Sequence, residues 1–567
     1  MIILSGVRAL VRRRLLVACY GMSALTLACR EDHRETHPLA PNGRPPTTID
    51  AGDVGDDGSR NPEDIGAGHV DSPPLPPLTD RGAVYDPADE GPIDLSVTVR
   101  DQSAFAAVEA GAPDVAAPIR FAATDYAAGD AGAGTNATIE LHGSTSRSAV
   151  QKSYQIKLWA EAAPWRGTRT INLLKHPFDL TRVRNALSFA YFRRIASFAS
   201  LRTGFVHLRV DGADRGLYEW VEEPDQTFLA AHGFDPAGAL YKSKTFAFAP
   251  IDAASAADPA KVEDIVATKG APDLAKLRRM AAAVNDVNQP IDDVLAHYFN
   301  RANYVTWLAV NLLTADFDSL NQNFLLYSPR GFEGWYLLPW DYDSAWGWNE
   351  QPGEPQRARW RQGVANWWSV ILHRRFLAEP DNVAELEARV AELAATINDD
   401  ATAAMLARTH DLIAAFVAAP PDLDNLPCDQ QGTPAAAAAW ETEYARIAGN
   451  AGRARAELAA TIDRPMPFWL NLPTLSTSPA PGTVSFTWAP SYQLHGQAIR
   501  YDIEINARDT FDAASVLMTA NDLTQPSFTT TALPSGHAFW RVVARATGGP
   551  ADAWQVSFND HLFVDVP

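Results

Sequence analysis

The sequence predicts an α+β chain, a strand-rich lobe running into a helical lobe, followed by an all-β sandwich. Three observations predict it. Between residues 93 and 222 short alternating apolar segments dominate, with one helical stretch among them. From 273 to 417 the spacing becomes mainly helical, interrupted by a hairpin-like pair at 324–338. After prolines that recur from Pro465 to Pro481, short alternating strands return. At 567 residues the chain exceeds what one core holds, so two or three folded units plus connecting segments are expected.

The N-terminus reads as an export signal over residues 1–28. Arg8, Arg12, Arg13 and Arg14 form a basic start, and Leu15 to Ala28 is mostly apolar. That apolar run is too short to span a bilayer, which takes roughly 20 residues. Leu25-Thr26-Leu27-Ala28-Cys29 resembles a bacterial lipobox, with Cys29 as the lipid-bearing residue and the membrane reached through that anchor. Residues 29–92 are rich in Pro, Gly, Asp and Thr and read as a disordered tether. Of three cysteines only Cys428 lies beyond Cys29, so no internal disulfide and no Cys/His zinc cluster is expected. A formal charge of −20 argues against nucleic acid as a partner.

The folded part begins with the alternating segment Ile93 to Val99. Further strands are expected at Ala137 to Leu141, Lys152 to Leu158, and Phe205 to Val210 with Gly216 to Val221 joined by an Asp211-Gly212 turn. A helix is expected over Val183 to Phe198. In the second half helices are expected over Asp273–Val284, Ile291–Thr314 and Pro380–Val417. Phe324 to Tyr327 and Gly334 to Leu338 form the embedded hairpin. These elements make one unit over 93–463, with a proline-rich linker at 464–481. In residues 482–567, Trp488, Tyr501 and the stretch Trp540-Arg541-Val542 resemble a fibronectin type III module, their aromatics serving the core.

The chemistry concentrates between Asn303 and Trp348. Asn323 follows Asp318 by five residues, Asp341 follows the hairpin's second strand, and Asp343 comes two residues later. Phosphoryl transfer needs such a set: one carboxylate orients the attacking hydroxyl, and an amide with a second carboxylate holds the metal that bridges the phosphates. Gly143, Ser144, Thr145 and Ser146 make a small polar loop between strands, suited to bringing backbone N–H groups near phosphate. Arg147 is a candidate phosphate contact at the end of that loop. Lys152 shares the strand parity of Tyr154, Ile156 and Leu158 and is expected to point inward as the phosphate-pairing lysine. Lys157 and Lys242 are weaker candidates. Glu222 is read either as a cation's partner or as part of the nucleotide cleft.

Asp318-Ser319-Leu320-Asn321-Gln322-Asn323-Phe324 with Leu338-Pro339-Trp340-Asp341-Tyr342-Asp343 resembles the signature of the spore coat protein H (CotH) kinase family. His142-Gly143-Ser144-Thr145-Ser146-Arg147 with Lys152-Ser153-Tyr154, Gly216-Leu217-Tyr218 and Leu240-Tyr241-Lys242 are similar to its other blocks, in the family's order. His142, Thr145 and Gln151 depart from it. The resemblance implies an atypical, two-lobed protein-kinase-like domain that uses ATP and Mg2+ (or Mn2+) to phosphorylate Ser or Thr of a protein. By the same resemblance Asp318 is the catalytic aspartate, and Asp341 and Asn323 are metal ligands. Asp343 is a further ligand or the cap of a turn. Two other functions fit the same residues: a surface binding or structural protein that has lost turnover, and a metal-dependent hydrolase.

Overall fold

The computed structural model describes residues 74–82, 91–126, 134–196, 198–478 and 480–566. The export signal, Cys29 and most of the expected tether lie outside the described residues.

The strand-rich lobe is a barrel. Strands β1 (Ile93–Val99), β2 (Ala117–Ala123), β3 (Ala137–Leu141), β4 (Tyr154–Leu158), β5 (Thr170–Leu174), β6 (Thr203–Val210) and β7 (Ala213–Glu222) close in the order β1-β2-β3-β4-β5-β7-β6. Only the closing β1–β6 pair is parallel. Alternation dictates the interior: Val97, Ile119, Phe121, Ile139, Ile156, Ile171 and Trp220 fill one core, with Ile139, Ile156 and Ile171 lined up across three strands. Closure removes exposed strand edges, which the linear pattern did not foretell. Asp211 and Gly212 both adopt positive φ, as a tight hairpin turn requires. Helix α1 (Gln102–Glu109) packs on β2 and β3, and α2 (Arg184–Arg194) follows β5. Helix α2 is shorter than expected and is buried over Arg184 to Phe192.

Strand β8 (Ala239–Ser243) leads into a second sheet, completed by β9 (Val266–Thr268), β10 (Phe324–Ser328) and β11 (Tyr336–Pro339) in the order β11-β10-β8-β9. The expected hairpin is therefore one side of a larger sheet, with β11 at its edge. Around it lie α3 (Leu274–Asn285), α4 (Ile291–Tyr298), α5 (Arg301–Leu313), α6 (Pro380–Leu393), α7 (Asp399–Val417), α8 (Pro434–Ala448) and α9 (Asn450–Thr461). Two helices expected to be continuous are broken. Phe299 is extended and bridges to Trp335, after which the Asn300 side chain caps α5 by accepting from the Asn303 N–H. Asn398 caps α7 in the same way. No helix among the described residues is long and apolar enough to cross a membrane.

Two boundaries differ from expectation. Within the segment read as a tether, Leu75 and Leu78 are buried in the main core. Asp80 there pairs with Arg193 and His232, and the Tyr336 hydroxyl donates to the Pro76 carbonyl. The two buried leucines and these polar contacts together dock the strap. The stretch read as a linker is likewise packed at its start: Met466 joins the main core, and Phe468 and Leu470 join the C-terminal core. That C-terminal part carries a three-stranded and a larger antiparallel sheet that share the core of Trp488, Tyr501, Ile503 and Trp540. It is joined to the helical lobe by aromatic contacts. Arg359 lies 3.6 Å from the Trp554 ring centre, and Trp368 stacks on Tyr492 at 5.4 Å.

Candidate functional site

The site forms where the α5 C-terminus, the β10–β11 hairpin and the barrel mouth converge. Helix α5 ends at Leu313, and Asp316 then turns the chain. Its carboxylate accepts the Asp318 N–H at 3.0 Å and the Ser319 hydroxyl. This local turn is what presents Asp318. One Asp318 oxygen accepts from Gln322 Nε2 at 2.8 Å and the other from Asn323 Nδ2 at 2.8 Å. The five-residue spacing therefore brings amide and carboxylate together. The chain then enters β10.

Asp341 leaves β11 with φ +60°, and Asn323, Ala315 and Trp346 have φ of +59°, +53° and +56°. Left-handed conformations cost a non-glycine residue of order 1 kcal/mol or more and persist where the surroundings impose them. Their concentration between residues 315 and 346 marks these loops as built for geometry. His176, Asp341 and Asp343 each bring one ligating atom within 4.8 Å of the others.

Charge is crowded here. Burial pushes the Asp341 carboxyl up to about 7, Asp343 and Asp318 push it the same way, and Lys242 and His176 oppose them. Burial also pushes Asp316 up to about 7. Lys242, on β8, has its amine 4.5 Å from the Trp340 ring centre. Loss of hydration pulls that amine down to about 8, and the attraction of Asp341 resists the fall. Buried carboxylates whose protons are hard to remove, gathered around carboxylate and amide oxygens, suit a hard divalent cation such as Mg2+ or Mn2+. The grouping of Asp341 and Asp343 with His176 fits one.

The polar loop sits over the same corner. The His142 ring lies 6.5 Å from Trp340, and its imidazole is driven down to about 3 by burial, with Lys242 adding to the effect. Gly143 has φ +83°, and a Cβ there would meet Ser146 Oγ at 2.4 Å. Ser144 is exposed at the loop's tip. Arg147 Nε donates to the Gly143 carbonyl at 2.7 Å, so its guanidinium braces the loop from within.

Two expected contacts differ. Lys152 does not point into the barrel with Tyr154. Strand β4 starts only at Tyr154, so the alternation does not reach back to Lys152, whose amine donates to the Arg147 carbonyl. Lys157 is exposed and pairs with Glu140 at 2.6 Å. Of the two readings of Glu222, the structure gives the cation's partner rather than the cleft wall. Both its oxygens are taken, by Arg202 at 2.6 Å and His232 at 3.0 Å. Neighbouring residues turn to opposite faces, and it is Glu223 that meets Lys269 at 2.8 Å and is sensed by His142 and Lys242.

Sequence reasoning passed over Asp316, His176, Glu219 and Glu223, and ranked Lys242 low. Asp316 is two residues from Asp318 in the same acidic run, the one local signal available. His176 and Glu219 lie far from residue 341 in sequence and carry none. Trp335, Trp340 and Trp346 are buried, consistent with packing.

A model of the family described as CotH kinase protein matches residues 139–451. Inner spore coat protein H of Bacillus subtilis (strain 168) is 26% identical over 220 residues, 37% of this chain and 58% of that relative. The chain thus spans little more than half of that protein's length. Among solved structures, the Shewanella oneidensis MR-1 toxin–antitoxin complex of HipA, HipB and operator DNA aligns at 12% identity, over 54% of this chain and 59% of that one. Its TM-score of 0.24 is too low to carry an argument.

Proposed function

Because the chain belongs to the CotH kinase family, whose model covers more than half of it, we propose that it is an exported atypical protein kinase that transfers phosphate from ATP to Ser or Thr of a protein. The observation that carries this reading is the meeting of Asp318, Asn323, Asp341 and Asp343 beside a half-buried lysine, Lys242, with His142 of the polar loop against Trp340. In this reading Asp318, held from both sides by Gln322 and Asn323, accepts the proton of the attacking hydroxyl. Asp341, Asn323 and Asp343 would hold the divalent cation, which when bound neutralises charge on the phosphates. Lys242 pairs a phosphate oxygen, the role first expected of Lys152, because its amine lies in the field of Asp341, whereas that of Lys152 is taken by the Arg147 carbonyl. Backbone N–H groups of the polar loop complete the cradle. Neutral His142 adds no charge of its own there.

The basic, apolar N-terminus and Cys29 support export and lipid anchoring, and a spore coat relative agrees with a surface location. The C-terminal sheets suit a fibronectin-like module that holds the kinase part at that surface.

The test is radiolabelled ATP with purified full-length protein, Mg2+ or Mn2+, and a mixture of Ser/Thr-rich proteins. Metal-dependent label on protein is expected from wild type. Folded Asp341→Ala and Asp318→Ala should lose it by about a thousandfold, several kcal/mol of transition-state stabilisation. Equal rates in wild type and both variants overturn the assignment. No transfer by any of them favours a binding protein that kept the fold.

A further inference from the structure

Helix α2 and the Asp341–Asp343 turn are far apart in sequence and fastened together in space. Asn185 Oδ1 accepts the Tyr342 N–H at 2.8 Å, and Asn185 Nδ2 donates to Glu219 Oε1 at 3.0 Å. Glu219 Oε2 meets His176 Nε2 at 2.8 Å, and His176 Nδ1 meets Asp343 Oδ2 at 3.3 Å. The path thus leaves the turn at the residue between the two aspartates and returns to it at the second. Asn185, Glu219 and His176 are all buried. One turn further along the helix, Ser188 Oγ accepts from Trp346 Nε1 at 2.9 Å. Phe189 and Phe192 pack on the Tyr342 ring at 6.4 and 5.2 Å, and Tyr191 stacks on Trp346 at 5.4 Å. Positions 185, 188, 189 and 192 form one helical face, and that whole face is spent on the turn.

His176 spans Glu219 and Asp343 with its two ring nitrogens, so the path from Asn185 reaches the turn at Asp343 as well as at Tyr342.

We infer that Asn185 is a positioning residue: it ties helix α2 to the metal-holding turn through the Tyr342 N–H on one side and through Glu219 and His176 on the other. This rests on the metal-holding role proposed above for Asp341 and Asp343. The left-handed backbone of Asp341 needs an outside restraint, and the Asn185–Tyr342 bond is a direct one beside it. Removing such a support typically costs about 10- to 100-fold in metal affinity.

Two measurements on the full chain test it, hydrogen exchange of the 341–346 segment by mass spectrometry and calorimetric titration with Mn2+ alone. Asn185→Ala should speed exchange in that segment by about tenfold or more and weaken Mn2+ binding by about 10- to 100-fold. Exchange in the C-terminal sheets should stay unchanged. A general structural loss would instead raise exchange everywhere, the C-terminal sheets included. Should Asn185→Ala not fold, Ser188→Ala is expected to move both readouts in the same direction. Wild-type exchange and wild-type Mn2+ affinity in a folded Asn185→Ala protein overturn the inference. Wild-type protein that binds no Mn2+ overturns the metal-holding role, while the exchange comparison still decides whether α2 restrains the turn.

Discussion

Replacing Lys242 by Met separates stability from activity. In the wild-type fold, loss of hydration pulls the Lys242 amine from 10.5 down to about 8, with Asp341 offsetting part of the fall. At about 1.4 kcal/mol per pH unit, holding that amine charged costs the fold up to about 3 kcal/mol, less because the residue keeps some exposure. The folded value is depressed, so below pH 8 both states are protonated and the whole penalty stands. From about 8 to about 10.5 the unfolded chain holds more protons and wild-type stability rises with pH; above that the penalty is gone. Lys242→Met removes the penalty and loses the contact with Trp340, about 1 kcal/mol. Asp341 is not left as a bare charge, because without Lys242 its carboxyl climbs above about 7 and takes a proton at neutral pH. The net expectation is a variant as stable as wild type or about 1–2 kcal/mol more so at pH 7. It should lack the pH 8–10.5 rise and lose phosphate transfer by about a hundredfold or more, as when a charge-stabilising group is removed. Guanidinium unfolding at pH 7 and pH 10, with the radiolabel assay, reads all three. A variant that is more than about 2 kcal/mol less stable at pH 7 and keeps the wild-type pH slope refutes a buried, costly amine at this position.

Other predictions follow from the packing. His373 is enclosed by Tyr304, Trp307 and Trp367, and burial drives its imidazole down to about 3. The unfolded chain takes up that proton below about pH 6.5, so stability should fall from there toward pH 3 by at most about 5 kcal/mol. His142 contributes a slope of the same sign, so His373→Leu should lower the acid sensitivity seen in urea unfolding without abolishing it. Unchanged sensitivity would contradict the enclosure. Deleting residues 475–567 should lower the unfolding midpoint of what remains, because Trp360 packs on Phe558 and Trp368 on Tyr492 across that boundary. An unchanged midpoint in calorimetry would show that the two parts are energetically independent.

By itself the sequence determined the local periods and the local chemistry. Alternation in β1, β3, β4 and β7 and the 3.6-residue pattern of α3 were legible because each depends on which face of one element is apolar. Asp318 with Asn323 was legible because five residues of loop suffice to bring the two side chains together. Asp341 was legible because it follows an apolar strand and a Pro-Trp pair. What the tertiary structure decided is every relation between distant segments. Closure of the barrel, the burial of Leu75 and Leu78, and the packing of the C-terminal sheets all depend on surfaces that meet only after folding. So do the different surroundings of Lys152 and Lys242, because both are single lysines near strands. One finds a backbone carbonyl within reach, and the other is enclosed beside Asp341. Glu222 and Glu223 differ only in which side of a strand's end each occupies, a one-residue question of register that composition cannot answer. The tie from Asn185 to the Tyr342 N–H crosses 157 residues, and a single hydrogen bond over that distance in sequence leaves no pattern in the chain that encodes it.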